Sequence, residues 1–489
     1  MSLRNDTLYN VLGAVAPAVA ALVTIPLLLA KIGEVRFGVL ALVWLLLGHF
    51  GVFDFGLSRA TANRIARVPA DDVRGRREVF WTSLWMNLAF GLAGAASLYL
   101  LAEPLMAHVF EIGATAREEI LPALPWVAVA VPLATLAGVL GGALDGRERF
   151  DVVNGLQALG AVIVQAAPVI AAYTVAIDLQ TLIAASVMAR GLSMLLLFAA
   201  NLRLVAPGGP LPPERRHARA LFGYGAWVSI SALIVPFFMT LDKFMIGAML
   251  GAAAVAYYSV PDQLVRRISV FPGALARSIF PRISAADEHA SRELAARSTR
   301  VLIAVVTPAV VALIAAMHPF LTLWIDADFA ARASAPGVLL AAGIWLNSLA
   351  MIPSAYLQAS GRPDITAKCH LLEILPHAVI LWLCIRLFGA VGAAAAMLIV
   401  TVMDTVLLMI FARLHVWRMA AFWTGAAWIG AAAIVGLGDY AARPWLYAVA
   451  LGIVLASTLW AWRTSPDLAA AVVAFQRRLT LPWRARSES

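Results

Sequence analysis

Three features of the sequence predict an all-α, polytopic membrane protein. Apolar residues make up 62% of the 489 residues and charged residues only 13%, against roughly 45–50% and about 25% in soluble domains. The mean hydropathy of +0.85 exceeds what one soluble core can hide, because such cores stop growing near about 250–300 residues. Apolar runs of the length needed to cross a hydrocarbon layer of about 30 Å recur along the whole chain with short gaps. No alternating strand pattern accompanies them, so helices must satisfy the backbone inside lipid.

Taken in order, the runs predict about fourteen transmembrane helices, near 8–30, 37–58, 79–102, 120–143, 153–175, 181–202, 222–248, 253–280, 300–318, 335–357, 367–387, 389–411, 419–437 and 445–462. The first is long for a signal-peptide core and is followed almost at once by another, so it is read as a retained helix. After span 6 comes Pro207-Gly208-Gly209-Pro210-Leu211-Pro212-Pro213, whose proline and glycine density cannot continue a helix. The expected organisation is an N-terminal lobe of six helices (1–206), a cytoplasmic linker (207–221) and a second six-helix lobe (222–412). Two extra helices (413–464) and a basic cytoplasmic tail (465–489) follow. In that tail Leu468, Val472, Phe475 and Leu479 with Arg477 and Arg478 form either an interfacial amphipathic helix ended by Pro482 or a frayed end,.

Lys and Arg number 37 against 28 Asp and Glu, a formal net charge of +9. Most of the basic residues fall on one side of the predicted membrane when the N-terminus is cytoplasmic, as cytoplasmic loops require. The even span count puts the C-terminus on the same side. The same distribution lowers nucleic acid as a partner. Cys369 and Cys384 lie in one apolar run, about 22 Å apart on a single helix, which excludes a disulfide. No gap is long enough to hold a soluble catalytic domain.

A shift of 218 residues superposes Gly33 on Gly251, Leu57 on Leu275, Arg59 on Arg277 and Arg64 on Arg282. In both copies a turn glycine opens a span that ends in two arginines five residues apart. An internal duplication with parallel halves follows from this register.

Ionisable residues inside spans are costly and therefore functional candidates. Span 8 carries Asp262, Arg266, Ser269, Gly273 and Arg277 at three- and four-residue steps, with Arg267 alongside. On one helix that stripe either lines an aqueous cavity or is paired internally. Two adjacent arginines exceed one carboxylate, which favours an anionic ligand, and guanidinium forks match a pyrophosphate. Arg59 and Arg277, related by the 218-residue shift, complete the cationic set. Asp242 and Lys243 in span 7 either pair locally or place the aspartate in the same cavity, where it would exchange H+ or Na+. Asp54 with His49 in span 2, and Asp262, are further candidates for ion coupling or gating. In span 11, Lys368, His370, Glu373 and His377 form a polar patch, with Glu373 the coupling candidate. Its spacing departs from the His-Glu-x-x-His metal pattern, and no metal or other cofactor is expected. Arg190 and Asp404 are lone charges, while Gln165, Asn87, Asn347 and Gln358 are expected in interhelical hydrogen bonds. Tryptophans such as Trp81, Trp126, Trp324 and Trp445 are expected as interfacial anchors.

The opening Asn10, Pro17, Pro26 and Lys31-Ile32-Gly33-Glu34-Val35-Arg36-Phe37-Gly38, then Phe53-Asp54-Phe55-Gly56-Leu57-Ser58-Arg59-Ala60, resembles the start of bacterial polysaccharide-export flippases of the O-antigen type. Leu241-Asp242-Lys243-Phe244-Met245-Ile246-Gly247 through Gly251, Tyr257-Tyr258 and Phe280-Pro281 extends the likeness. Their superfamily also holds multidrug antiporters and the peptidoglycan-precursor flippase. The resemblance implies two six-helix lobes in a V around a cavity from spans 1, 2, 7 and 8, working by alternating access. Transferred to matching positions, Arg266 and Arg267 belong to the cationic cavity and Asp242 to its carboxylate. The implied function is translocation, without catalysis, of an undecaprenyl-pyrophosphate-linked oligosaccharide across the bacterial inner membrane. The implied partners are that lipid-linked oligosaccharide, H+ or Na+, membrane lipids and polysaccharide-assembly proteins. Paired arginines argue against a multidrug cation antiporter, and the missing large loop argues against a membrane glycosyltransferase, polymerase or ligase.

Overall fold

The computed structural model describes residues 3–50, 54, 56–69, 71–108, 121–219, 221, 240–438, 440 and 442–464. Among these there are helices and turns but no strand. Eight helices are long and apolar enough to cross a membrane, and the protein is a multi-pass membrane protein. The tail from 465 and most of span 7 lie outside the described residues.

The helices are α1 (Leu3–His49), α2 (Leu57–Arg67), α3 (Val73–His108), α4 (Leu124–Asp145), α5 (Phe150–Thr174), α6 (Leu179–Leu204) and α7 (Leu241–Leu250). They continue with α8 (Ala252–Arg266), α9 (Val270–Ala285), α10 (Glu288–Trp324), α11 (Ala327–Ala359), α12 (Pro363–Phe411), α13 (Ala420–Gly436) and α14 (Trp445–Thr464). The chain divides into two compact units, Met1–Ala256 and Tyr257–Ser489.

Two of the helices carry two predicted spans each. Gly33 interrupts α1 with φ 76° and ψ 169°, and Gly389 interrupts α12 with φ 60° and ψ −139°. Both sit in the positive-φ region that glycine enters without a Cβ penalty. The counterpart of Gly33 under the 218-residue shift, Gly251, has φ 86° and ψ 174° and separates α7 from α8. Two glycines in register thus carry nearly the same unusual backbone, a local observation that agrees with the duplicated sequence pattern.

Predicted spans 2 and 8 need correction. Span 2 is not helical to residue 58: α1 stops at His49 and α2 starts at Leu57. Span 8 is not one helix either, because Arg267–Ser269 form a 3-10 turn between α8 and α9. Shifting His49 by 218 residues lands on Arg267, so both interruptions fall at the same register. Hydropathy does not mark the first break, because the apolar run continues through it, and the second falls at Arg266-Arg267, where the sequence carries charge but no proline or glycine.

In the first unit α3 packs on α4, α5 on α6 and α1 on α5. Its core includes Ile65, Val79, Phe80, Leu140, Leu144 and Leu197. Trp81 belongs to this core rather than to a membrane interface; it is 6% exposed and meets Phe80 and Phe198 edge-on. Gln165 donates to the Pro17 carbonyl of another helix at 3.2 Å, as expected. The Asn87 side chain bonds within its own helix, to the Ser83 carbonyl, while its backbone carbonyl accepts from the Thr135 hydroxyl of α4 at 3.3 Å; the Gln358 side chain bonds within its own helix, to the Ser354 hydroxyl. In the second unit α10 and α12 flank α11, while α13 and α14 pack on α10. Large apolar side chains such as Leu372, Leu375 and Phe388 of α12 are exposed, as a lipid-facing surface requires.

Asp178, Asp287 and Asp326 cap α6, α10 and α11, each accepting a backbone N–H three residues ahead. This satisfies donors that a helix N-terminus leaves orphaned. Burial opposes ionisation of Asp178, but bonds from the Thr181 amide and hydroxyl, helped by Arg36, hold its carboxyl below the usual range. Its contribution is therefore present at neutral pH and above the unfolded carboxylate value, and is lost as pH falls through the depressed folded value. Asp178→Ala is expected to cost about 1 kcal/mol, read as a lower melting temperature at pH 7 whose difference from the parent shrinks in acid.

Candidate functional site

The interruption between α8 and α9 places the predicted cationic residues. Asp262 and Arg266, four residues apart on α8, lie on one face. The Arg266 Nε–H donates to both oxygens of Asp262 at 2.8 Å. The Asp262 side chain is buried, at 6% exposure, whereas the Arg266 side chain is 43% exposed. Asp262 therefore orients Arg266 and offsets part of its charge. Arg267 begins the 3-10 turn, is exposed, and makes no ion pair among the described residues. The turn ends the single stripe expected for span 8. Arg277, on α9, is exposed, and its guanidinium folds back to within 3.5 Å of where a Cβ on Gly273 would lie. Arg59, on α2, is also exposed.

In the first unit the break after α1 is held by polar groups. Asp54 is 6% exposed, and its hydrogen-bonding neighbours are Ser58 through side chain and backbone, then the amides of Leu57 and Gly56. A carboxylate over the first amides of α2 is the stabilising position for a negative charge. On the other side of the break, Arg190 of α6 points Nη1 at the Leu47 carbonyl, 3.5 Å away. That carbonyl belongs to the last turn of α1, where cations are favoured. One step along α6, Ser186 accepts from the Trp44 indole at 3.2 Å. Arg190, a lone charge in the sequence, thus serves a helix end. Asp242 and Lys243 are both buried near the start of α7. The Lys243 backbone N–H donates to Asp242 Oδ1 at 2.8 Å.

A second polar cluster forms within α12. Reversal at Gly389 lays the two limbs side by side and brings Asp404 of the second limb 3.5 Å from His370 of the first. Glu373 and His377 are buried on the first limb, at 2% and 1% exposure. Glu373 Oε1 accepts no hydrogen bond among the described residues, and Asp404 acts on it electrostatically. Lys368 stands apart, paired with Asp364 at the exposed start of the helix. His370, Glu373 and His377 do not bring their ligand atoms into one metal-sized group among the described residues. The Glu373–Asp404 encounter is not readable from either span alone; the near-zero gap around Gly389 is the only sequence signal for it.

The second unit also holds a cavity of about 500 Å³ whose lining includes Arg292, Arg362, Arg413, Tyr356 and Glu288. None of the predicted site residues lines it.

The chain is 26% identical over 409 residues to a putative O-antigen transporter of Shigella flexneri, covering 83% of this chain and 97% of that one. It is 26% identical over 202 residues to a probable low-salt glycan biosynthesis flippase, Agl15, of Haloferax volcanii, covering 40% and 42% of the two chains. Among solved structures, the lipid II flippase MurJ in an inward closed conformation superposes with TM-score 0.71 at 13% identity, over 95% of this chain and 100% of that one. An inward-facing multidrug resistance MATE family transporter of the MOP superfamily gives TM-score 0.64 at 16% identity, over 86% and 96%. These two likenesses establish the fold. The sequence also matches the family described as polysaccharide biosynthesis protein across residues 32–334, more than half of its length, and the chain belongs to that family.

Proposed function

We propose that this protein is a flippase for an undecaprenyl-pyrophosphate-linked oligosaccharide, an O-antigen or exopolysaccharide repeat unit, in the bacterial inner membrane. The observation that carries the reading is the match to the putative O-antigen transporter of Shigella flexneri over 83% of this chain and 97% of that one. In this reading Arg266, oriented by Asp262, and the neighbouring Arg267 receive the diphosphate through paired charge-assisted hydrogen bonds. Arg59 and Arg277 add positive charge at equivalent positions of the two repeats. The glycan follows the headgroup while the lipid tail stays in the bilayer, and both termini face the cytoplasm.

Alternating access needs a bias between two states, which a ligand supplies only by binding them differently. Asp54, Asp242, Lys243, Asp262 and Glu373 are the proposed coupling or gating groups, with H+ or Na+ as the ion. Each charge carried across 100 mV supplies about 2.3 kcal/mol. Polysaccharide-assembly proteins are the proposed neighbours in the membrane.

The test is flipping of a labelled lipid-linked sugar by protein reconstituted in vesicles, with export measured in cells. Removing a charged hydrogen-bond donor costs about 1.5–3 kcal/mol, so Arg267→Ala is expected to lower transport roughly 10–100-fold at subsaturating substrate. Arg266→Ala is expected to lower it too, and to leave Asp262 buried without this partner. Both variants should insert in the membrane at parental levels. Parental transport by a well-expressed double alanine variant would remove these arginines from the mechanism. Glycan transfer without translocation would remove the flippase reading itself.

A further inference from the structure

The proline- and glycine-rich connection after α6 does not loop away from the first unit. The Gly209 carbonyl accepts from Arg77 Nη2 and the Leu211 carbonyl from Trp85 Nε1, each at 2.9 Å. The Glu214 amide donates to Thr82 Oγ1 at 3.1 Å. Three α3 side chains thus strap residues 209–214 along one helix. The strapping carries Glu214 and His217 to Glu78 of α3.

Among the described residues, Glu78, Glu214 and His217 are the one group of three potential metal-binding side chains whose ligand atoms all lie within 4.8 Å of one another. His217 Nε2 is 3.7 Å from Glu78 Oε2 and 3.6 Å from Glu214 Oε2. Both spacings are too long for a hydrogen bond. They are close to the ~3.4 Å expected between ligand atoms held about 2.0–2.2 Å from one tetrahedral Zn2+.

The histidine is 8% exposed, and its Nδ1 makes no hydrogen bond among the described residues. Arg216 Nη2 lies 3.4 Å from Nε2. A guanidinium can only donate, so in the metal-free protein Arg216 Nη2 occupies the Nε2 lone pair, and metal binding requires this exposed side chain to swing aside. The freed nitrogen and two carboxylate oxygens then converge on one small volume. Arg74 bonds the other oxygen of Glu78, Oε1, at 3.0 Å, which fixes the carboxylate from outside as supporting groups around metal ligands do.

We propose that Glu78, Glu214 and His217 bind a divalent transition metal, Zn2+ by preference, and so clamp the connection between α6 and the rest of the chain onto α3. One imidazole nitrogen and two carboxylate oxygens suit Zn2+, with water completing a four-coordinate site. The clamp is independent of the flippase reading and carries no catalytic step. It makes the tether that joins the two halves of the chain responsive to metal.

The experiment uses full-length protein in detergent, stripped with a chelator and titrated with ZnCl2 by calorimetry, alongside thermal melting. The wild type is expected to bind one equivalent per chain and to melt higher with Zn2+ than with Mg2+. Glu214→Gln keeps size and the backbone bond to Thr82, and should weaken binding at least 10–100-fold, the loss that even outer-sphere partners produce. His217→Ala should do the same. If His217→Ala does not fold, the Glu214→Gln result decides alone. Absence of saturable Zn2+ binding to the wild type overturns the proposal, as does binding of unchanged affinity and stoichiometry in Glu214→Gln.

Discussion

Gly38→Ala is expected to prevent accumulation of folded protein in the membrane. A Cβ at this position would lie 1.7 Å from the Ala252 carbonyl oxygen, 2.5 Å from its carbon and 3.3 Å from its Cα. All three atoms are backbone, so no rotamer change relieves the clash, and either α1 or the start of α8 must move. Both residues lie in the same compact unit, shortly after the positive-φ glycines Gly33 and Gly251. A shift there is transmitted to two kinks at once. Overpacking costs typically 1–3 kcal/mol and occasionally more; with backbone on both sides the expected penalty is at least about 3 kcal/mol. Gly48→Ala is the control, because nothing lies within 4 Å of its added Cβ. Size-exclusion profiles and melting of detergent extracts read the difference, and equal behaviour of the two variants would refute the close crossing.

Glu373→Gln is expected to leave the fold intact while abolishing the dependence of transport on an ion gradient. Glutamine preserves shape but cannot ionise. Glu373 is 2% exposed, has an oxygen without a hydrogen bond among the described residues, and faces the charge of Asp404. Replacing a buried, poorly satisfied carboxyl with a neutral isostere is neutral or stabilising for folding, so a loss of function cannot be traced to unfolding. Reconstituted vesicles with an imposed proton or sodium gradient supply the readout. At least a tenfold fall in gradient-driven flipping, with uphill transport lost, is the expected result. Retained gradient dependence in a stable Glu373→Gln variant would assign the cluster to helix packing alone.

The fold class was legible because the bilayer imposes one requirement on every span, and runs of apolar residues meet it visibly. Gly33 and Gly251 were legible as turn residues, and both have positive φ. The 3-10 turn at Arg267–Ser269 was not, since its Ile268 and Ser269 are as compatible with a helix as with a break. The Asp262–Arg266 pair follows from four-residue spacing. The approach of Asp404 to His370 depends on where the chain reverses, and neither span records that. Glu78, Glu214 and His217 were hidden for a similar reason: the sequence shows a linker and two loop charges, while the straps from Arg77, Thr82 and Trp85 decide where that linker lies.

The reversal at Gly389 leaves almost no polypeptide between the two limbs of α12. Reporter proteins or epitope tags inserted there would force open the contact where a Cβ on Gly392 would already meet the Cys384 carbonyl at 1.9 Å. Proteases added from that side of intact vesicles would find no substrate loop. During biosynthesis the two limbs would leave the translocon as a preformed hairpin, with Asp404 and Glu373 shielding each other's polar surroundings from acyl chains as they partition.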